Sequence, residues 1–282
     1  MKVGWLGLGA MGVPMAACLV AAGHEVAAYD VVPGRSPEGA TAAGSVTDAV
    51  SGADAVVVMV ATPDQLDQVL SGAVGALTTG QTVVIMSTVG PDAVVGAAAR
   101  LTSLGVAVVD APVSGGVTRA GTGDLLILVG GAAGAVAGVQ PLLDALARSA
   151  PVVGPSPGDG QRMKLVNQLL CGVHIAAAAE ALSFAESLGL DSGECWNVLR
   201  DGAAASFMFD DRGARMVAGT FDEVRSALDI FVKDMGLVTG AAGDAGAAVP
   251  LSTAARDLYQ RGHDEGLGRK DDSVLIEVLR GR

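Results

Sequence analysis

A doubly wound, parallel α/β domain followed by an all-α helical domain is predicted by three observations. Short β-branched runs alternate with Ala-rich helical stretches, a glycine-proline break follows, and helical periodicity then runs to the end. The runs fall at 3–6, 25–29, 55–60, 82–86 and 106–109. Each is almost continuously apolar, as a strand must be when helices cover both its faces. Further strands are expected at 125–129 and 151–153, extending the sheet toward an edge. The segment GPSPGDG at 154–160 continues neither helix nor strand, so the chain is divided there into residues 1–158 and 159–282. Residues 161–190 contain no proline, and Gly172 and Gly189 are their only glycines, which predicts one long helix. Apolar spacings of three and four predict further helices within 193–200, 207–217, 224–242, 252–261 and 271–279. The Ala-rich stretch 175–182 predicts close packing against another helix, of the same chain or of a partner subunit.

Composition narrows the function. With 50% hydrophobic and 17% charged residues the chain has ample core material, which excludes intrinsic disorder. A formal charge of −12 repels phosphate backbones and anionic lipid, so neither nucleic acid nor a membrane surface is an expected partner. Polar side chains are expected to interrupt every apolar stretch before the ~20 residues of a bilayer span. The amino terminus enters a strand pattern at once, without a secretory pattern, which points to the cytoplasm. Cys18, Cys171 and Cys195 are odd in number and far apart, and His24, His174 and His263 are scattered, so neither disulfides nor a metal site is expected.

The most informative local pattern is G-x-G-x-x-G at Gly7, Gly9 and Gly12, between the first predicted strand and the helix-compatible segment 10–22. Gly7 allows the tight turn, Gly9 lets backbone approach a diphosphate, and Gly12 lets helix pack close to strand. Free amides at the helix start suit an anion. Asp30 closes the second predicted strand, where a carboxylate accepts hydrogen bonds from ribose hydroxyls and repels a 2′-phosphate. NAD is therefore expected over NADP, with Arg35 close enough in sequence to soften that preference.

The segments GWLGLGAMGVPMA, DAPVSGGVTRAGTGDL and KLVNQLL, in this order and spacing, resemble the β-hydroxyacid dehydrogenases, the group that includes 3-hydroxyisobutyrate dehydrogenase and tartronate semialdehyde reductase. The resemblance covers nearly the whole chain. It implies a Rossmann-like NAD-binding domain, a helical domain for substrate and dimerisation, and oxidation of a short hydroxyacid by a homodimer or homotetramer. The cofactor-binding residues it implies are Gly7, Leu8, Gly9, Ala10, Met11, Gly12 and Asp30, with the backbone of Val60 and Ala61, the Thr88 side chain and Lys233. Ala61 stands where the family usually has proline. Ser114, Gly115 and Gly116 are implied as substrate anchors, and they suit a carboxylate bound beyond the ends of the strands.

The implied catalytic residue is Lys164. A lysine near a helix start, if buried, has its charged form disfavoured by both burial and the helix dipole, so it can exchange a proton with a substrate hydroxyl. Asn167 and Gln168 lie at i+3 and i+4 from it and share its helical face. The family often has Asn at both positions. Asp234, beside Lys233, is a further candidate for the substrate site.

The stretches QLLCGVHIAAAAEALSFAESLGL and RSALDIFVKDMGLV also resemble the L-threonate dehydrogenase branch, which would make the substrate a four-carbon sugar acid. Two other readings stand beside these: an NADPH-dependent imine reductase on a similar scaffold, and a non-catalytic dinucleotide-binding protein. Lys164 and Asp30 weigh against the first, and the joint presence of Ser114, Lys164 and Lys233 against the second.

Overall fold

The computed structural model describes residues 1–281, which divide into two compact units, Met1–Lys164 and the residues from Leu165 onward. In the first unit the five apolar runs become β1 (Lys2–Leu6), β2 (Glu25–Tyr29), β4 (Ala55–Val58), β5 (Thr82–Ile85) and β6 (Ala107–Asp110), and a short exposed strand that the sequence did not announce, β3 (Thr41–Ala42), follows β2. Between them lie α1 (Gly12–Ala21), α2 (Val46–Val50), α3 (Pro63–Ala73) and α4 (Pro91–Thr102). Beyond β6 come β7 (Val113–Ser114), α5 (Gly116–Ala120), β8 (Leu125–Ile127), β9 (Val129–Gly130), α6 (Ala133–Leu146), β10 (Ala147–Ser149) and β11 (Val152–Gly154).

The main sheet has the order β11-β9-β6-β5-β4-β1-β2-β3. Because β1 pairs with both β2 and β4 in parallel, the winding reverses beside it. The carboxyl end of β1, where the glycine turn begins, is therefore at the switch point at which open α/β sheets bind ligands. Alternate strand residues feed opposite cores. Val56 and Val58 of β4 pack with Leu66, Leu70, Val94 and Leu101, whereas Ala55 and Val57 join Met15, Leu19, Val139 and Leu143. Each such aliphatic side chain contributes about 1.5–3 kcal/mol on burial.

The single strand expected at 125–129 is two. β8 belongs to a small sheet of order β10-β8-β7, and β9 joins the main sheet, antiparallel to β6. The division falls at Leu128, whose N–H donates to the Pro112 carbonyl at 3.0 Å. Sequence alternation does not register that change of partner.

α7 (Asp159–Ser187) begins in the first unit and continues into the second, which also holds α8 (Ser192–Leu199), α9 (Phe207–Ala218), α10 (Leu228–Asp244), α11 (Pro250–Asp264) and α12 (Leu275–Arg280). A 3-10 turn at Asp272–Val274 leads into α12. Around α7 the second unit's core gathers Ile175, Ala178, Ala179, Leu182, Phe231, Met235 and Tyr259. Ile175, Ala178, Ala179 and Leu182 of the alanine-rich stretch are thus buried within their own unit, whereas Ala177, Glu180 and Ala181 on its other side are exposed. A side chain at Gly172 would meet the Met235 sulfur at 2.2 Å, and the stacked rings of Phe231 and Tyr259 lie 5.3 Å apart.

Polar residues interrupt α7 less than expected. It is long and apolar enough by length and composition to cross a membrane, with a mean hydropathy of 1.4. On one side of it Ile175, Ala178, Ala179 and Leu182 pack into the second unit's core.

Candidate functional site

The three glycines of the turn after β1 differ in their surroundings. Gly7 has φ +100°, and a Cβ there would lie 2.2 Å from the Met59 carbonyl oxygen. At Gly12 a Cβ would lie 2.1 Å from the Gly7 oxygen, whereas at Gly9 it would meet nothing within 4 Å. Two glycines are thus required by the protein's own packing, and the middle one keeps an open approach. Met11, at the N-cap of α1, supplies no side-chain cap for the first-turn amides. This is the cradle a diphosphate fits. Leu8, Gly9, Ala10 and Arg35 line an adjoining cleft of about 480 Å³, which Val117 of α5 also reaches.

Asp30 holds this turn directly. Its Oδ2 accepts from Leu8 N–H at 2.7 Å and its Oδ1 from Val32 N–H at 2.8 Å, while Arg35 stands 3.6 Å from Oδ1. A carboxylate has about four acceptor positions, so two backbone bonds leave capacity for ribose hydroxyls.

At the end of β4, Val60 N–H donates to Ser87 Oγ at 2.7 Å and Ala61 N–H to Gln65 Oε1 at 2.8 Å. Thr88 follows Ser87 at the end of β5 and is half-buried. Ser114 ends β7, and Gly115 (φ +146°) and Gly116 (φ +74°) turn the chain into α5. Only glycine enters that backbone region readily, and the space beside Gly116 is open.

Three buried polar residues that sequence reasoning did not single out, Ser87, Asp110 and Gln161, connect these loops. Asp110 and Gln161 are buried, and Gln161 uses its whole amide. Its Oε1 accepts from Val89 N–H at 3.0 Å and Gly90 N–H at 3.1 Å, and its Nε2 donates to Ser87 O at 3.0 Å and Asp110 Oδ1 at 2.8 Å. Asp110 Oδ2 accepts from Gly158 N–H at 2.9 Å and Gln161 N–H at 2.8 Å. Burial pushes its carboxyl up to about 6, against the opposing pull of these hydrogen bonds. The available signal was an acidic residue closing an otherwise apolar run. Lys164, one turn after Gln161, is itself buried.

In the second unit Asn167, Gln168, Lys233 and Asp234 are brought together. Asn167 Nδ2 donates to Gln168 Oε1 at 2.8 Å, Gln168 Nε2 donates to Asp234 Oδ2, and Lys233 Nζ lies 2.9 Å from Asp234 Oδ1. Asp234 is only 2% exposed, and its ion pair with Lys233 compensates the buried charge. No group of three or more His, Cys, Asp or Glu side chains is arranged to hold a metal among the described residues.

Residues 2–154 match the family described as the NAD binding domain of 6-phosphogluconate dehydrogenase, and residues 158–279 match the NAD-binding domain of NADP-dependent 3-hydroxyisobutyrate dehydrogenase. The L-threonate dehydrogenase of Cupriavidus necator is 36% identical over 99% of this chain and 96% of its own length. The chain belongs to the β-hydroxyacid dehydrogenase family. Another relative, the 2-hydroxy-3-oxopropionate reductase of Escherichia coli K12, is 32% identical over 99% of this chain and 97% of its own. The crystal structure of 3-hydroxyisobutyrate dehydrogenase from Salmonella typhimurium superimposes with a TM-score of 0.91 at 34% identity, covering 99% of both chains. This β-hydroxyacid dehydrogenase is accordingly an NAD-dependent oxidoreductase of small hydroxyacids, built as a Rossmann-like domain followed by a helical one.

Proposed function

We propose that the chain oxidises, reversibly, a secondary hydroxyl of a four-carbon sugar acid of the L-threonate type, with NAD preferred to NADP and Lys164 as general acid and base. The observation that carries the reading is the contrast among the three glycines of the first turn, closed at Gly7 and Gly12 and open at Gly9, on a chain whose relatives include several L-threonate dehydrogenases. Asp30 supports NAD, since a 2′-phosphate beside it meets like charge. Bound NAD supplies the hydride acceptor.

The Gly9 to Gly12 amides hold the diphosphate, and Asp30, Val60, Ala61, Thr88 and Lys233 complete the cofactor contacts. Ser114 and the amides of Gly115 and Gly116 grip the substrate carboxylate. Lys164 Nζ takes the hydroxyl proton in oxidation and returns it in reduction. Asn167, Gln168 and Asp234 bind the substrate's remaining hydroxyls, for which a chain of amides and a carboxylate offers both donors and acceptors. The functional division follows the break at 158/159, with α7 opening the helical domain.

We further assign a homodimer or homotetramer joined through the helical domain. Val166, Leu170 and Phe184 of α7 and Leu188 just after it are exposed, with Phe184 61% and Leu188 60% accessible. A cytoplasmic location fits a chain in which Cys18, Cys171 and Cys195 form no disulfide.

NADH production across L-threonate, 3-hydroxyisobutyrate, glycerate and L-serine tests the substrate, repeated with NADP for the cofactor. L-threonate with NAD is expected to give the highest kcat/KM. Lys164→Ala is expected to keep NADH binding and lower turnover by roughly 10²–10⁴-fold. Near-normal turnover in that variant removes Lys164 from the chemistry, and faster turnover with NADP reverses the cofactor assignment.

A further inference from the structure

The buried pair Asp110 and Gln161 joins three places that carry proposed ligand groups. Gln161 is one helical turn before Lys164, and its amide holds the Val89 and Gly90 N–H groups that follow Thr88. The Ser87 carbonyl accepts from the same amide, and the Ser87 hydroxyl in turn accepts from Val60 N–H. Asp110 ends β6, from which the chain runs to Ser114, and receives the Gly158 and Gln161 N–H groups at the start of α7. Packing there is tight, since a Cβ at Gly160 would lie 2.4 Å from the Leu128 oxygen and 2.9 Å from Asp110 Oδ2.

The direction of each bond is dictated. Val89 and Gly90 offer only donors, so the Gln161 oxygen must face them. Its NH₂ must then face Ser87 O and Asp110, which has to be an acceptor. A proton on Asp110 Oδ1 would place a donor against a donor, and a flipped Gln161 amide would strand the Val89 and Gly90 amides.

We propose that Asp110 and Gln161 are positioning residues that lock the turn of α7 bearing Lys164 to the loop bearing Thr88, and that the lock holds only while Asp110 is an acceptor. Lys164 and Thr88 acting as assigned above is the reading on which its functional consequence rests. The lock itself is a property of the protein without cofactor.

The groups facing Asp110 set where the lock fails. From α7 the charged neighbour is Asp159, which also pushes the Asp110 carboxyl upward and is itself paired with Arg162 at 2.6 Å. The loop after β5 presents Ser87, Val89 and Gly90, and β9 presents Gly130, none of them titratable. With the carboxyl raised to about 6, the acceptor is lost just below neutrality. Global stability runs the other way. The folded chain holds this proton more tightly than the unfolded one, so the group's own contribution to stability rises as pH falls from about 6 toward the ordinary carboxylate range.

Hydrogen–deuterium exchange of cofactor-free protein, followed on peptides containing Val89 and Gly90 and corrected for intrinsic rates, is the test. Protection there is expected to fall about tenfold between about pH 7.5 and about pH 5 in wild type, and to be low at both in Asp110→Asn. Gln161→Glu alone sets two carboxylates face to face and also loses protection. The double substitution D110N/Q161E restores a donor facing an acceptor between positions 110 and 161 but leaves the Ser87 carbonyl facing a carboxylate, so it is expected to recover protection and NADH affinity only in part, to a level above the worse single change. Protection that is flat with pH, or a double variant no better than the worse single, overturns the lock. Lys164→Ala is expected to leave this protection unchanged while lowering turnover by roughly 10²–10⁴-fold. Unchanged protection with near-normal turnover sinks the assignment of Lys164 and spares the lock.

Discussion

Gly7, Gly9 and Gly12 look alike as letters in a motif but do different physical jobs. At Gly7 and Gly12 an added methyl meets backbone oxygen at 2.2 Å and 2.1 Å, so Gly7→Ala and Gly12→Ala must displace β1, the loop after β4, or α1. Each is expected to lower stability by more than about 2 kcal/mol in urea unfolding. Gly9→Ala has open space, so its stability is expected to stay within about 0.5 kcal/mol of wild type. Its NADH affinity is nonetheless expected to fall about tenfold or more, because the methyl occupies the path of the diphosphate. If Gly9→Ala binds NADH normally, the cradle is misassigned. All three glycines were legible in the sequence because strand, turn and helix are adjacent along the chain. The assignment of packing to two and of ligand access to one was not legible, since the atoms that decide it belong partly to Met59.

Among the helices of the second unit, α9, the segment before α10, and the turn before α12 are tied by charge rather than by apolar contact alone. Asp271 is fully buried and accepts from the Arg215 guanidinium, from Arg225 N–H at 2.9 Å and from the Ser273 hydroxyl at 2.6 Å. Arg212 adds bonds to Asp272 at 3.0 Å and Asp211 at 2.7 Å. Burial by itself would push the Asp271 carboxyl up, but Ser273, the Arg225 amide and Arg215 outweigh it and hold the group below the ordinary carboxylate range. Its stabilising contribution is therefore complete at neutral pH and is lost as pH falls through the lowered value. Asp271→Asn removes one of the three carboxylates paired with the buried Arg215, leaving Asp211 at 2.8 Å and Asp272 at 3.7 Å. The expected cost in chemical denaturation is about 3–5 kcal/mol, with a weaker loss of stability in acid than wild type shows. A cost under about 1 kcal/mol would mean that apolar packing alone joins these elements. The helices themselves were readable from apolar spacing. Their cross-ties were not, because Arg215 and Asp271 lie 56 positions apart and either could have been a solvated surface charge.

For the molecule as a whole, the exposed apolar side chains on and just after α7 make association through the helical domain a measurable property. Static light scattering at micromolar concentration is expected to give a dimer or tetramer, and Phe184→Glu with Leu188→Glu to give a folded monomer with the same far-ultraviolet circular dichroism. A wild-type monomer would refute the association. Both side chains are exposed in the single chain, so the substitutions disturb no core. By itself the sequence determined the alternation of strand and helix, the glycine turn, the acidic end of β2, the long α7 and the family, because each is written in local period or in motifs of fixed spacing. It did not determine the strand order, the division of 125–129 between two sheets, or the joining of Asp110 to Gln161 across 51 positions. Periodicity records which side of an element is buried. What that side touches depends on the free energy of packing every element at once, and only the tertiary structure carries that result.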